Sequence, residues 1–175
     1  MVTLTEEETA MIEYKNILFC TDFSEDAQIA FMHAFDLARK HKAKLHILHV
    51  AHSAYRYSRH IVDEYVAEGT SGGEAFFSED LEKRAEEALK RTYQERLGDF
   101  KDYLLVIKCG APDVEIIHYA RKNNIDLIVM GALGKSDQDR LVHGSTVANV
   151  SRYAPCHVMA IRNPSKQFTL PGGMY

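Results

Sequence analysis

The chain has 175 residues, 46% of them apolar and 26% charged, with a net charge of −4. That composition suits one folded domain with a real core, and it excludes a disordered chain. It also lacks the basic tract of a nucleic-acid binder and any apolar run of membrane-spanning length, so neither a nucleic acid nor a membrane is expected as a partner. Three widely spaced cysteines, Cys20, Cys109 and Cys156, form neither a disulfide framework nor a CxxC metal site. The opening MVTLTEEETAMIEY is acidic and lacks the apolar stretch of a signal peptide, so a cytoplasmic location is expected.

Residues 1–13 read as an N-terminal extension and residues 14–163 as one domain. NILFCT at 16–21 is a nearly continuous apolar run, the mark of a strand buried on both faces. Asp22-Phe23 breaks it, and the Ser24 hydroxyl is placed to cap a helix in which Ala27, Ala30, Phe31, Ala34, Leu37, Ala38 and His41 share one face. KLHILHV at 44–50 is the second strand. Residues 51–77 read as a long excursion with Tyr55, Tyr57, Tyr65, Arg56 and Arg59, equally compatible with an interaction surface and a solvated loop. Ser78 is placed to cap a helix whose apolar positions Leu81, Ala85, Leu89, Tyr93 and Leu97 recur every four residues, and Gly98 ends it.

YLLVIKC at 103–109 is the third strand. Pro112 suits the start of the next helix, whose inner face is expected to carry Val114, Ile117 and Ala120. DLIVMG at 126–131 is the fourth strand, a helix runs from about 144 to Tyr153, and CHVMAIR at 156–162 is the fifth strand. The tail at 164–175 is too rich in Pro and Gly to assign. This β–α alternation implies an α/β fold: a single doubly wound five-stranded parallel sheet with helices on both faces.

In such a sheet, ligands bind beyond the carboxyl ends of the strands, where the strand order reverses. Polar features follow strand one (Thr21-Asp22) and strand four (GALGKSDQDRLVHGST, 131–146). If both touch one ligand, the strands lie in the order 3-2-1-4-5. Gly131 and Gly134 would let the backbone approach a ligand or take a positive φ. Gly144, Ser145 and Thr146 would open a helix whose amides attract phosphate. Gly131→Val is expected to abolish binding and leave the fold intact. The segment is neither a Walker A loop nor GxGxxG, since position 129 is Val.

Gly131-x2-Gly134-x9-Gly144-Ser145 resembles the G-2x-G-9x-G-(S/T) nucleotide-binding signature of the universal stress protein family. Asp22 after strand one, the Gly110-x-Pro112 turn and the Pro155-Cys156-x-Val158 strand entry extend the resemblance over about residues 14–163. It implies ATP as ligand, with or without Mg²⁺, and a homodimer paired through strand five. It also implies roles for residues: Thr21 and Asp22 at the adenine or ribose, Val50 lining the adenine, and Met130 and Gly131 on the nucleoside side. Gly134, Gly144, Ser145 and Thr146 would hold the phosphates. The family usually has a small residue where this chain has Phe23, which is therefore expected to narrow the site.

Asp22 suits a ribose hydroxyl, a Mg²⁺ ion or support of the following helix, and His143 suits a phosphate contact or an ordinary loop position. His46 and His49 should point to opposite faces of strand two, and the other histidines form no metal motif. No catalytic base or Walker B pair is visible. The reading is a nucleotide-binding stress-response module acting through nucleotide-dependent contacts with an unknown protein partner, and at most a weak ATPase. The alternatives are a slow ATP-hydrolysing or adenylating enzyme and a nucleotide-free dimeric interaction protein.

Overall fold

The structure is a computed structural model, and it describes residues 12–51, 83–134 and 145–165. The N-terminal extension before residue 12, nearly all of the 51–77 excursion, the Ser78 cap, Leu81, residues 135–144 and the tail from 166 lie outside the described residues. In chain order the elements are β1 (Asn16–Thr21), α1 (Glu25–His41), β2 (Lys44–Ala51), a helix α2 described over 83–97, β3 (Tyr103–Cys109), α3 (Pro112–Lys122), β4 (Leu127–Gly131), α4 (Ser145–Tyr153) and β5 (His157–Ile161). The sheet has five strands in the order β3-β2-β1-β4-β5, and every pairing is parallel. The order deduced from the polar strand ends is the observed one.

Side chains alternate across each strand, so the sheet has two distinct faces. Ile17, Phe19, Leu45, Ile47, Leu127 and Val129 pack with Ala27, Ala30, Phe31 and Ala34 of α1 and with Leu89, Tyr93 and Leu97 of α2. Leu18, Cys20, Leu48, Ile128 and Met130 pack with Ile116 and Ala120 of α3 and Val150 of α4. At the amino ends, the Asp126 carboxylate accepts from the backbone amides of Lys15 (2.7 Å) and Asn16 (2.8 Å), fixing the entry of β1 beside β4.

Local chemistry explains the boundaries. The Ser24 hydroxyl accepts from the Ala27 amide, as an N-cap should. Pro112 opens α3, and Gly98, at φ 57, stops α2. Residues Lys90–Gln94 of α2 form a π-helical segment. An α-helix turns about 100° per residue, so positions four apart drift about 40° at each step. The wider π turn rotates the other way, and so Ala85, Leu89, Tyr93 and Leu97 all stay buried.

Two expectations are corrected. β2 continues through Ala51, because Ala51 pairs with Cys109 of β3, so the excursion starts one residue later. Val114 is exposed, since Ile116 and Ala120 set the inner face of α3 and position 114 lies on the far side of the helix.

Candidate functional site

The connections diverge between β1 and β4: β1 leads through α1 to β2, whereas β4 leads through α4 to β5 on the other side. The carboxyl ends of β1 and β4 therefore flank the switch point of the sheet. Cys20 is level with Met130 of β4, and Thr21 is level with His49 of β2. Asp22, just past β1, is thus brought beside Val50 on one side and the chain leaving Gly131 on the other.

The β1–α1 turn is tightly determined. The Thr21 side chain is buried, with its hydroxyl 2.6 Å from that of Tyr93, and it accepts from the Phe23 amide at 3.0 Å. Asp22 Oδ1 accepts from the Ser24 amide at 3.0 Å, a local turn typical of Asp. Between them Phe23 has φ 63, in the left-handed region that a bulky residue rarely enters. That conformation costs on the order of 1–2 kcal/mol, and it persists because the ring is packed on the α1/α2 face. There it lies 4.7 Å from the His49 ring and stacks at 6.3 Å and 20° on Tyr93. His49 Nδ1 donates to the Thr21 carbonyl at 2.8 Å, which fixes the proton on that nitrogen.

This placement bears on Phe23 as an obstacle. Val50 and Met130 belong to the opposite face, packed with Val147 of α4. The Phe23 ring is turned toward α1 and α2 and away from that side.

The start of the glycine-rich segment is equally constrained. A Cβ on Gly131 would stand 2.8 Å from the Ala27 backbone nitrogen and 3.0 Å from the Asp26 carbonyl carbon. The position needs glycine because β4 ends against the first turn of α1. The expected close approach is therefore to the chain's own helix, and the φ of Gly131 is not in the left-handed region. Gly131→Val must therefore displace the end of β4 or the first turn of α1 and destabilise the fold, contrary to the expectation of an unaffected fold. Two residues on, the Leu133 amide donates to Asp26 Oδ2 at 3.2 Å, and the Leu133 carbonyl accepts from the Ser24 hydroxyl at 3.4 Å.

Thr21, Asp22, Phe23, Val50, Met130, Gly131 and Gly134 are thus all at the carboxyl ends or in the segments leaving them. Thr21 and Phe23 are committed to the α1/α2 face. Ser145 and Thr146 form the start of α4. His143 and Gly144 lie outside the described residues. Asp26, Tyr93 and His49 carry no site signal in the sequence. Tyr93 reads as one more core position in a four-residue repeat, and Asp26 reads as an ordinary first-turn acid.

The remaining reactive groups are packing residues. Burial pushes the Cys20 thiol far up, and burial with the Asp126 charge holds Cys156 at about 11, so neither is a ready nucleophile. His46 and His49 do lie on opposite faces of β2; the former is buried with Nδ1 2.7 Å from the Tyr119 hydroxyl. Among the described residues no group of three or more His, Cys, Asp or Glu is placed to hold a metal ion, and no helix is long and apolar enough to cross a membrane.

The sequence pattern of the universal stress protein family matches residues 13–162. A universal stress protein of Methanocaldococcus jannaschii is 31% identical over 156 residues, covering 88% of this chain and 85% of that protein. The solved universal stress protein UspA of Lactobacillus plantarum is 32% identical with a TM-score of 0.69, covering 87% of this chain and 100% of that one. A universal stress protein solved in complex with cAMP shares the fold at 22% identity and a TM-score of 0.53, over 86% of this chain and 98% of that one. The chain belongs to the universal stress protein family.

Proposed function

We propose that this member of the universal stress protein family is a nucleotide-binding stress-response protein. Its ligand is ATP, accompanied by Mg²⁺, held at the switch point between β1 and β4. The observation that carries the reading is the strand order. It brings Asp22, Val50, Met130 and Gly131, widely separated in sequence, to one end of the sheet. The glycine spacing that resembles the family's nucleotide signature starts at that end, and a relative of the same fold was solved with cAMP.

The residues fit a nucleotide. Val50, half-buried at the end of β2, supplies an apolar surface for the base on the α3/α4 face, with Met130 buried in the same cluster. Asp22 holds the ribose. Gly134 and the hydroxyls and amides of Ser145 and Thr146 receive the phosphates, aided by the positive end of α4. Bound ATP alters the surface around the segment between Gly134 and α4, and protein partners read that change. The working form is a cytoplasmic homodimer paired through β5, whose position at the edge of the sheet leaves backbone groups for a second copy.

Equilibrium titration of ATP into the purified protein, with and without Mg²⁺, tests the reading. Saturable binding that weakens in Thr146→Val is expected. Absence of saturable binding, with no nucleotide released on denaturing the freshly purified protein, would remove it.

A further inference from the structure

The first turn of α1 carries two acidic residues, Glu25 and Asp26, and they are placed very differently. Glu25 is exposed and serves the helix dipole from solvent. Asp26 is fully buried, and its Oδ2 accepts from the amide of Leu133, 107 residues further along the chain. A buried carboxylate is costly unless it is engaged, and a helix end does not require one.

Three contacts converge on this turn. Gly131 presses against the Ala27 nitrogen and Asp26 backbone so closely that no Cβ fits. Asp26 takes the Leu133 amide, and the Ser24 hydroxyl, itself capping α1, donates to the Leu133 carbonyl. Ser24 is also tied through its amide to Asp22. Both polar groups of Leu133 are therefore fixed to the element that carries Asp22, one residue before Gly134.

We propose that Asp26 is a positioning residue that clamps the start of the glycine-rich segment, residues 131–134, onto α1. It sets the direction in which the chain through Leu133 and Gly134 leaves the sheet relative to Asp22. The proposal rests on the nucleotide reading above. Its signature is selective: loss of the clamp weakens the hold on phosphates and spares the nucleoside, which Val50, Met130 and Asp22 contact without it.

The test titrates ATP and adenosine into the full-length wild type, Asp26→Ala and Asp26→Asn, with hydrogen exchange of the Leu133 amide followed in parallel. Asp26→Ala is expected to bind ATP roughly tenfold more weakly and adenosine within about threefold of wild type. Asp26→Asn, which keeps a side-chain oxygen acceptor, should hold ATP within about threefold. The Leu133 amide should exchange faster in Asp26→Ala alone. If Asp26→Ala does not fold, Asp26→Ser takes its place, being polar at the helix start yet too short to reach Leu133. Unchanged ATP affinity in the clamp-less variant, or equal loss of ATP and adenosine, overturns the positioning role. A wild type that binds neither ligand removes the nucleotide reading instead, and Leu133 exchange then decides: faster exchange in Asp26→Ala supports the clamp, and unchanged exchange overturns it.

Discussion

The two faces of the sheet end differently at the carboxyl edge. Under α1 and α2 the end is closed by rings: Phe19, Phe31 and Tyr93 meet edge-on or tilted within 5.5 Å, Phe23 stacks on Tyr93, and His49 lies tilted against Phe23. The polar groups there are spent on each other, with Thr21 bonded to Tyr93 and His49 to the Thr21 carbonyl. Under α3 and α4 the end is aliphatic, with Val50 and Met130 beside Val147. One switch point thus presents a wall of rings on one side and, on the other, an aliphatic cluster in which Met130 is buried while Val50 and Val147 stay partly exposed. Side-chain packing, and not the strand order alone, makes the two sides of the switch point different.

Four perturbations break or sharpen this contrast. Phe19→Ala should cost about 4 kcal/mol, because a fully buried ring is lost from the wall. Leu48→Ala on the other face should cost about 3 kcal/mol, and a reversed ranking in denaturant melts would contradict the picture of the aromatic side as the tighter one. Gly131→Val should cost roughly 3 kcal/mol by overpacking, because its neighbour at 2.8 Å is helix backbone; an unchanged melting temperature would show that β4 and α1 are not in contact there. Tyr93→Phe should cost about 1 kcal/mol and speed exchange of the Phe23 amide, since Thr21 loses one of its two partners.

The smallest effect concerns pH and belongs to the second face. His46 is held below its ordinary value of 6.5, mainly by burial, then by Lys44, with Asp102 opposing. The Tyr119 hydroxyl engages Nδ1, and Nε2 has no hydrogen-bond partner among the described residues. Between the folded and unfolded values the unfolded chain binds more protons, so stability present above pH 6.5 is lost as the pH falls through the folded value. His46→Gln should flatten the stability slope as the pH falls below 6.5, and an identical slope in both proteins would contradict this assignment.

Much of the fold was legible because local rules agree with tertiary ones. Apolar runs located all five strands, Ser24, Pro112 and Gly98 marked helix ends, and two polar strand ends implied the sheet order. What misled were residues whose reason is non-local. Gly131 reads as a ligand-approach glycine, yet its missing Cβ makes room for a helix turn more than a hundred positions earlier in the chain. Asp26 looks like any first-turn acid, and its partner Leu133 carries no side-chain signal because only its backbone is used. Phe23 looks obstructive in sequence; which face receives its ring depends on His49 and Tyr93, which no local pattern joins to it.

The central claim is that a nucleotide sits at the β1/β4 switch point on the Val50–Met130 side. The most direct measurement is an ATP titration followed by backbone and methyl NMR. Saturable shifts are predicted at Asp22, Val50, Met130, Gly134 and Thr146, with the rings of Phe23 and Tyr93 little changed. Absence of saturable shifts, or shifts confined to Phe23, His49 and Tyr93, would contradict it.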